Sequence, residues 1–235
     1  MDKYKNFMDL AFEAYVTDEE WNNFFGRVPK FRYETMKYCL KKFTEDNLSR
    51  IVELGTSRSF VDGQWEGCNS SDTSFWEPLS PKKWDWSAGC FTRVVGEFIQ
   101  DKNATLSTVD LQASHIERSK HMTQDLKNIS YHVSDSKDFL RNFADKIDFL
   151  YLDTGNVTPV EPVAQLHLEE AQIVIERDLM SSKGLILIDD VRNVACKKQN
   201  KGVSDYGKAK YSIPYFCKNG WKIVLDEYQV VLERK

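Results

Sequence analysis

Five short apolar runs, each ending in a carboxylate or a small polar residue, restrict the fold of this chain more than any other feature. They are Ile51 to Gly55, Leu106 to Asp110, Ile129 to Ser134, Ile147 to Asp153 and Gly184 to Asp189. Between most of them lie amphipathic stretches long enough for helices, including Ala113 to Asn128 and Pro159 to Met180. Strand alternating with helix predicts an α/β domain, a parallel sheet with helices on both faces. The last two runs, Trp221 to Leu225 and Gln229 to Glu233, are separated only by Asp226 to Tyr228. So short a connection cannot make a parallel crossover, so these strands pair as an antiparallel hairpin and close a seven-stranded sheet.

Two segments stand outside this rhythm. Residues 1–47 carry aromatic, Lys and Glu residues at helical spacing, with Thr17 ahead of Asp18, Glu19 and Glu20 as a helix start. They are expected to form a helical appendage of two or three short helices on a domain spanning 48–235. The other is the insertion 56–88, which reads as neither helix nor strand and holds Trp65, Trp76, Trp84 and Trp86. An irregular insertion of that length in a compact domain is usually functional. It is expected to act with the appendage as a lid, its alternative use being a subunit contact in a homo-oligomer.

Composition removes several function classes. A chain of 235 residues, 41% of them hydrophobic, can bury a full core without staples. Cys39, Cys68, Cys90, Cys196 and Cys217 are odd in number and contain no C-x-x-C pair, which points to free thiols in a reducing compartment rather than to disulfides or zinc. With a net charge of −4 and no basic cluster larger than Lys197, Lys198 and Lys201, no nucleic-acid partner is expected. No apolar stretch approaches the roughly 20 residues of a membrane span, and the opening MDKYKNFMDL lacks an apolar signal core, so no membrane association and a cytoplasmic location are expected.

Open α/β sheets bind ligands beyond the carboxyl ends of their strands, near the point where strand order reverses. The residues to read are therefore Glu53, Gly55, Thr56 and Ser57 after the first strand and Asp110 after the second. Ser134, Asp135 and Ser136 follow the third, Asp153 to Asn156 the fourth, and Asp189 with Asp190 the fifth. Any one acid in such a place is as readily a helix cap or turn residue. Acids or hydroxyls at five successive strand ends are harder to dismiss. A dinucleotide-binding oxidoreductase would show G-x-G-x-x-G after the first strand, and this chain does not.

The motifs Val52-Glu-Leu-Gly-Thr56, Thr108-Val-Asp110, Phe149-Leu-Tyr-Leu-Asp153 and Leu187-Ile-Asp-Asp190 resemble those of class I S-adenosylmethionine-dependent methyltransferases. Within that class the resemblance is to metal-dependent small-molecule O-methyltransferases, over roughly residues 48–235. It implies a Rossmann-like fold and S-adenosyl-L-methionine as cofactor, held by Glu53, Gly55, Thr56, Ser57, Arg58, Asp110, Ser134, Asp135, Ser136 and Asp153. In that set Asp110 accepts from the ribose hydroxyls, Asp135 and Ser136 hold the adenine, and Arg58 pairs with the methionine carboxylate. Asp153, Asp189 and Asp190 lie on neighbouring strand ends, where three carboxylates repel unless a cation separates them. The resemblance implies Mg²⁺ there, positioning the acceptor hydroxyl and lowering its pKa.

Asp153, His167 and Lys208 are the catalytic candidates. His167 sits on one face of a helix after the fourth strand, and an imidazole titrating near neutral pH suits removal of the acceptor proton. Its alternative is a structural histidine, and that of Lys208, in the loop entering the last helix, is a solvated lysine. His115, His121 and His132 carry less weight. The expected activity is methyl transfer to an oxygen, less readily a nitrogen, of a small-molecule acceptor, a polar metabolite or a glycan or capsule precursor. The alternative is a catalytically silent relative that binds a nucleoside ligand or a partner chain.

Overall fold

The computed structural model describes residues 32–56, 90–192 and 206–235. The expectations for residues 1–31, for Ser57 and Arg58, for the four tryptophans of the insertion and for the lysines at 197–201 lie outside them. The chain order is α1 (Tyr33–Glu45), β1 (Arg50–Leu54), α2 (Phe91–Phe98), β2 (Thr105–Asp110), α3 (Ala113–Met122), β3 (Ile129–Val133) and α4 (Ser136–Asn142). It continues with β4 (Ile147–Leu152), α5 (Val160–Glu176), β5 (Met180–Ile188), α6 (Ser212–Lys218), β6 (Trp221–Asp226) and β7 (Val230–Arg234). No described helix is long and apolar enough to cross a membrane.

The seven strands form one sheet in the order β3-β2-β1-β4-β5-β7-β6. The first five are mutually parallel, and β7 runs antiparallel to both β5 and β6. This is the seven-stranded sheet with a closing hairpin expected from the pattern. One strand boundary differs by more than a residue: β5 begins at Met180, not Gly184. Met180 pairs with Ile147, after which the register shifts before Leu185 meets Phe149. Ser182 and Lys183 are exposed in that irregular stretch and so give no apolar signal. The helices expected over 113–128 and 159–180 stop at Met122 and Glu176, the second followed by a left-handed Asp178 at φ 47°.

Alternating residues of each strand enter two cores, as the pleat requires. Ile51, Leu106, Phe149, Tyr151, Leu185 and Leu187 pack with α1 and α2, where Phe91 stacks on Tyr151 at 3.9 Å. Val52, Leu54, Leu150, Leu152, Ile186 and Ile188 pack on the other face with α5 and α6. Met36, Cys39, Leu40 and Phe43 follow the spacing of a helix with one apolar face, and all four are buried, so α1 is built into the first core. Cys39 and Cys217 are free thiols.

The ladder runs one residue past the strand ends. Gly55 N donates to Val109 O at 2.9 Å, Asp153 N to Leu54 O at 2.9 Å, Asp189 N to Leu152 O at 3.0 Å and Ser134 N to Asp110 O at 3.0 Å. These bonds set Asp110, Gly55, Asp153 and Asp189 in one row at the carboxyl edge. Strand order reverses between β1 and β4, in the middle of that row. Gly55 has φ +93°, and a Cβ there would stand 2.5 Å from the Asp153 carbonyl oxygen. Its glycine is therefore required by the neighbouring strand end. Gly55→Ala is expected to cost at least about 2 kcal/mol of stability from backbone strain and the clash, read as a lower urea midpoint. An unchanged midpoint would mean that β1 and β4 do not meet this closely.

Candidate active site

The first half of the row is held from behind by a polar network. Glu53 is 1% exposed and accepts from Thr92 Oγ1 at 2.6 Å, while Thr56 Oγ1 lies 3.3 Å from Thr92 Oγ1 and donates to Ser119 at 2.9 Å. These bonds tie the end of β1 to α2 and α3, so the side chains of Glu53 and Thr56 face protein. Asp110 is different. It accepts from Gln112 N at 2.7 Å and contacts His115 Nδ1 at 3.0 Å, both through Oδ1. Oδ2 is left without a protein donor among the described residues. Beside it Leu111 is 65% exposed and Val133, at the end of β3, 56% exposed.

Past β3, Asp135 caps α4, its Oδ1 accepting from Lys137 N at 2.8 Å and Asp138 N at 3.4 Å. Ser134 Oγ donates to the Asp135 carbonyl at 3.0 Å. Ser136 Oγ donates to Glu170 at 2.5 Å, and Thr154 Oγ1 donates to the other oxygen of Glu170 at 2.9 Å. Glu170 thus links the ends of β3 and β4 from beneath. Burial raises its pKa to about 7 against those two bonds, and burial likewise raises Glu53 to about 8 against the bond from Thr92. His167 is fully buried and places Nε2 3.0 Å from the Thr154 carbonyl. Burial, with Lys208 nearby, lowers its pKa to about 3, so it stands neutral behind the loop after β4.

The second half of the row gathers the three carboxylates expected there, together with two cations. Lys208 Nζ lies 2.6 Å from Asp153 Oδ1 and 3.3 Å from Asp190 Oδ2, its side chain fully buried. Arg32 donates through Nε to Asp189 Oδ1 at 3.2 Å and Oδ2 at 3.0 Å, and its guanidinium reaches Asp190 at 3.5 Å. Tyr151 OH donates to Asp189 Oδ2 at 2.5 Å, Asp190 N to Asp189 Oδ1 at 2.7 Å, and Tyr228 OH to Asp190 Oδ1. Asp190 sits in the left-handed region at φ 55°, which an Asp tolerates. Burial opposes the charges on Lys208 and Arg32, but the carboxylates outweigh it and push both pKa values up. Burial also opposes ionisation of Asp190, and there Lys208 and Arg32 prevail and hold it low.

Of the six carboxylate oxygens, only Asp153 Oδ2 has no protein donor among the described residues. Mg²⁺ prefers an octahedral shell of oxygens. The trio does not fit that demand, because protein hydrogens already meet five of its oxygens. Among the described residues no group of His, Cys, Asp or Glu is arranged to hold a metal ion. Arg32, Tyr151, Tyr228 and Leu111 were not singled out from sequence. Arg32 meets Asp189 across 157 positions, a contact no local pattern announces.

No family model and no curated protein matches the sequence. Solved structures resemble its fold. The SAH-bound methyltransferase PaMTH1 of Podospora anserina aligns at a TM-score of 0.55 and 12% identity, over 100% of this chain and 94% of that one. The fold is that of the class I S-adenosylmethionine-dependent methyltransferases. Cofactor-bound Rv0187 from MTB aligns at a TM-score of 0.54 and 13% identity, over 100% and 90% of the two chains. The N-methyltransferase NodS of Bradyrhizobium japonicum WM9 aligns at 0.51 and 12%, over 87% and 96%. At these identities the likeness concerns the methyltransferase fold, and the side chains of the row must be judged on their own geometry.

The buried acids make stability depend on pH. Native Glu53 and Glu170 keep a proton up to about 8 and 7, whereas the unfolded chain releases it near 4.5, so their contribution is lost as pH rises. His167 acts in the opposite sense, but only below its unfolded value of 6.5. Between pH 6.5 and 8 the urea midpoint is therefore expected to fall, and Glu53→Gln should flatten that slope. A midpoint that rises over this window would show that Glu53 is ionised in the native protein.

Proposed function

We propose that this chain is an S-adenosyl-L-methionine-dependent methyltransferase acting on an oxygen, less readily a nitrogen, of a small polar acceptor. The observation that carries the reading is the row at the switch point. Asp110 presents a free carboxylate oxygen beside the exposed Leu111, and Asp153 presents another, the two on either side of Gly55. These residues fit the cofactor: Asp110 Oδ2 suits a ribose hydroxyl donor, and Leu111 with Val133 offers apolar contact to a flat base. Ser134 and Asp135 border the same place, with their side chains turned to the α4 cap.

When bound, the cofactor supplies a sulfonium methyl group open to in-line displacement. The chain's part is alignment and proton acceptance. Asp153 Oδ2 accepts the hydrogen bond of the acceptor hydroxyl and takes its proton as the oxygen–methyl bond forms. Oδ1 of the same carboxylate stays on Lys208, which fixes the direction in which Oδ2 points. His167 and Glu170 act from below, one through the Thr154 carbonyl and the other through its hydroxyl, holding the loop that follows Asp153.

Asp110→Ala is expected to weaken SAH binding, measured by calorimetry, by roughly 10- to 100-fold, the cost of about 1.5 to 3 kcal/mol for a charged hydrogen bond. Unchanged affinity in a folded variant would remove Asp110 from the cofactor site. Absence of SAH binding to the unaltered protein would remove the methyltransferase reading itself. Tight SAH binding without turnover on any hydroxylated or amino acceptor would favour a silent binding protein.

A further inference from the structure

The acid trio contains its own counter-ions. Lys208 stands on a single 3-10 turn, Gly207–Ala209, whose Ala209 N donates to Tyr206 O at 2.8 Å. The turn packs on α5, so the ammonium enters from beneath the sheet edge and stops between Asp153 and Asp190. A fully buried lysine is costly, and two carboxylates within 3.3 Å are the compensation that keeps it charged. Arg32 enters from the opposite face, where α1 lies, and closes on both oxygens of Asp189. The side chains of Asp153 and Asp190 are 15% and 14% exposed, so they alone of the trio look outward, over the two buried cations.

We propose that Lys208 takes the place of a divalent cation in this site. The ammonium separates Asp153 from Asp190 as a metal would, and Arg32 removes Asp189 from use as a ligand. Lys208 is thus a positioning residue: it acts on the acceptor through Asp153, whose second oxygen it aims outward. This last step rests on the methyltransferase reading, whereas the exchange of metal for ammonium does not. A lysine pairs as a compact point charge and needs no oxygen shell, which suits two convergent carboxylates with one oxygen each to give.

The test is a Mn²⁺ titration followed by electron paramagnetic resonance, which needs no turnover. The unaltered protein is expected to show no site at Mn²⁺ concentrations up to about 1 mM, well above what a built carboxylate site would require. Lys208→Ala removes the cation that stands between Asp153 and Asp190 and is expected to bind Mn²⁺ at least tenfold more tightly than the unaltered protein. Adding Asp153→Asn should abolish that gain. Methyl transfer by the unaltered protein should survive exhaustive chelation, while the activity lost in K208A should be partly restored by Mn²⁺ or Mg²⁺ and not by added sodium.

A stoichiometric Mn²⁺ site in the unaltered protein that D153N removes would overturn the proposal, as would a folded K208A without any gain in Mn²⁺ binding. Loss of turnover on chelation with SAH binding intact would overturn it as well. If K208A does not fold, the titration of the unaltered protein and of D153N decides alone. Failure to bind SAH would sink the methyltransferase reading and leave the Mn²⁺ result standing.

Discussion

Asp153 is the residue on which backbone and charge constraints converge. Its amide donates to Leu54 and so extends the β1–β4 pairing past the end of both strands. Its carbonyl comes so close to Gly55 that no side chain fits there. Its carboxylate binds the buried Lys208. Moving β4 by one residue would break the hydrogen bond, relieve the glycine and leave the buried lysine with Asp190 alone. The register of the switch point and the electrostatics of the site are therefore one constraint.

That constraint explains the company the residue keeps. Three carboxylates at one sheet edge would repel strongly in a partly desolvated setting, and removing one member of a buried pair typically costs about 3 to 5 kcal/mol. Here the compensation is spread over both faces: Lys208 from the α5 side, Arg32 with Tyr151 and Tyr228 from the α1 side. The helix α1 is consequently more than an appendage to the sheet. It contributes Met36, Cys39, Leu40 and Phe43 to one core, and Arg32, the residue just before it, carries a cation into the acid cluster.

The two halves of the row do different work with similar residues. Around Asp110 the surface is open and partly apolar, with Leu111 and Val133 exposed, which suits a ligand with a flat base and hydroxyls. Around Asp153 and Asp190 it is charged and nearly closed. Buried groups join the halves from underneath: His167 and Glu170 grip the Thr154 loop, and Glu53 grips α2 through Thr92. Acids that share a sequence context at strand ends thus divide into helix cap, core buffer and site group according to what lies behind each.

The alternation of apolar runs and helical stretches was enough to determine the architecture, because a parallel strand buried on both faces must be continuously apolar and a three-residue connection admits only a hairpin. It also determined which residues would stand at the carboxyl edge, since those follow each run in the chain. What each of them does was decided only by the tertiary structure. Gly55 is a glycine because of Asp153, Asp135 is turned into a cap by α4, and His167 is sealed under Thr154. The exchange of a metal for Lys208 and Arg32 was the least legible of all, because a buried cation and its partners come from segments 55 and 157 residues apart. Local pattern records how a residue sits on its own element, whereas charge compensation depends on distances in space between elements.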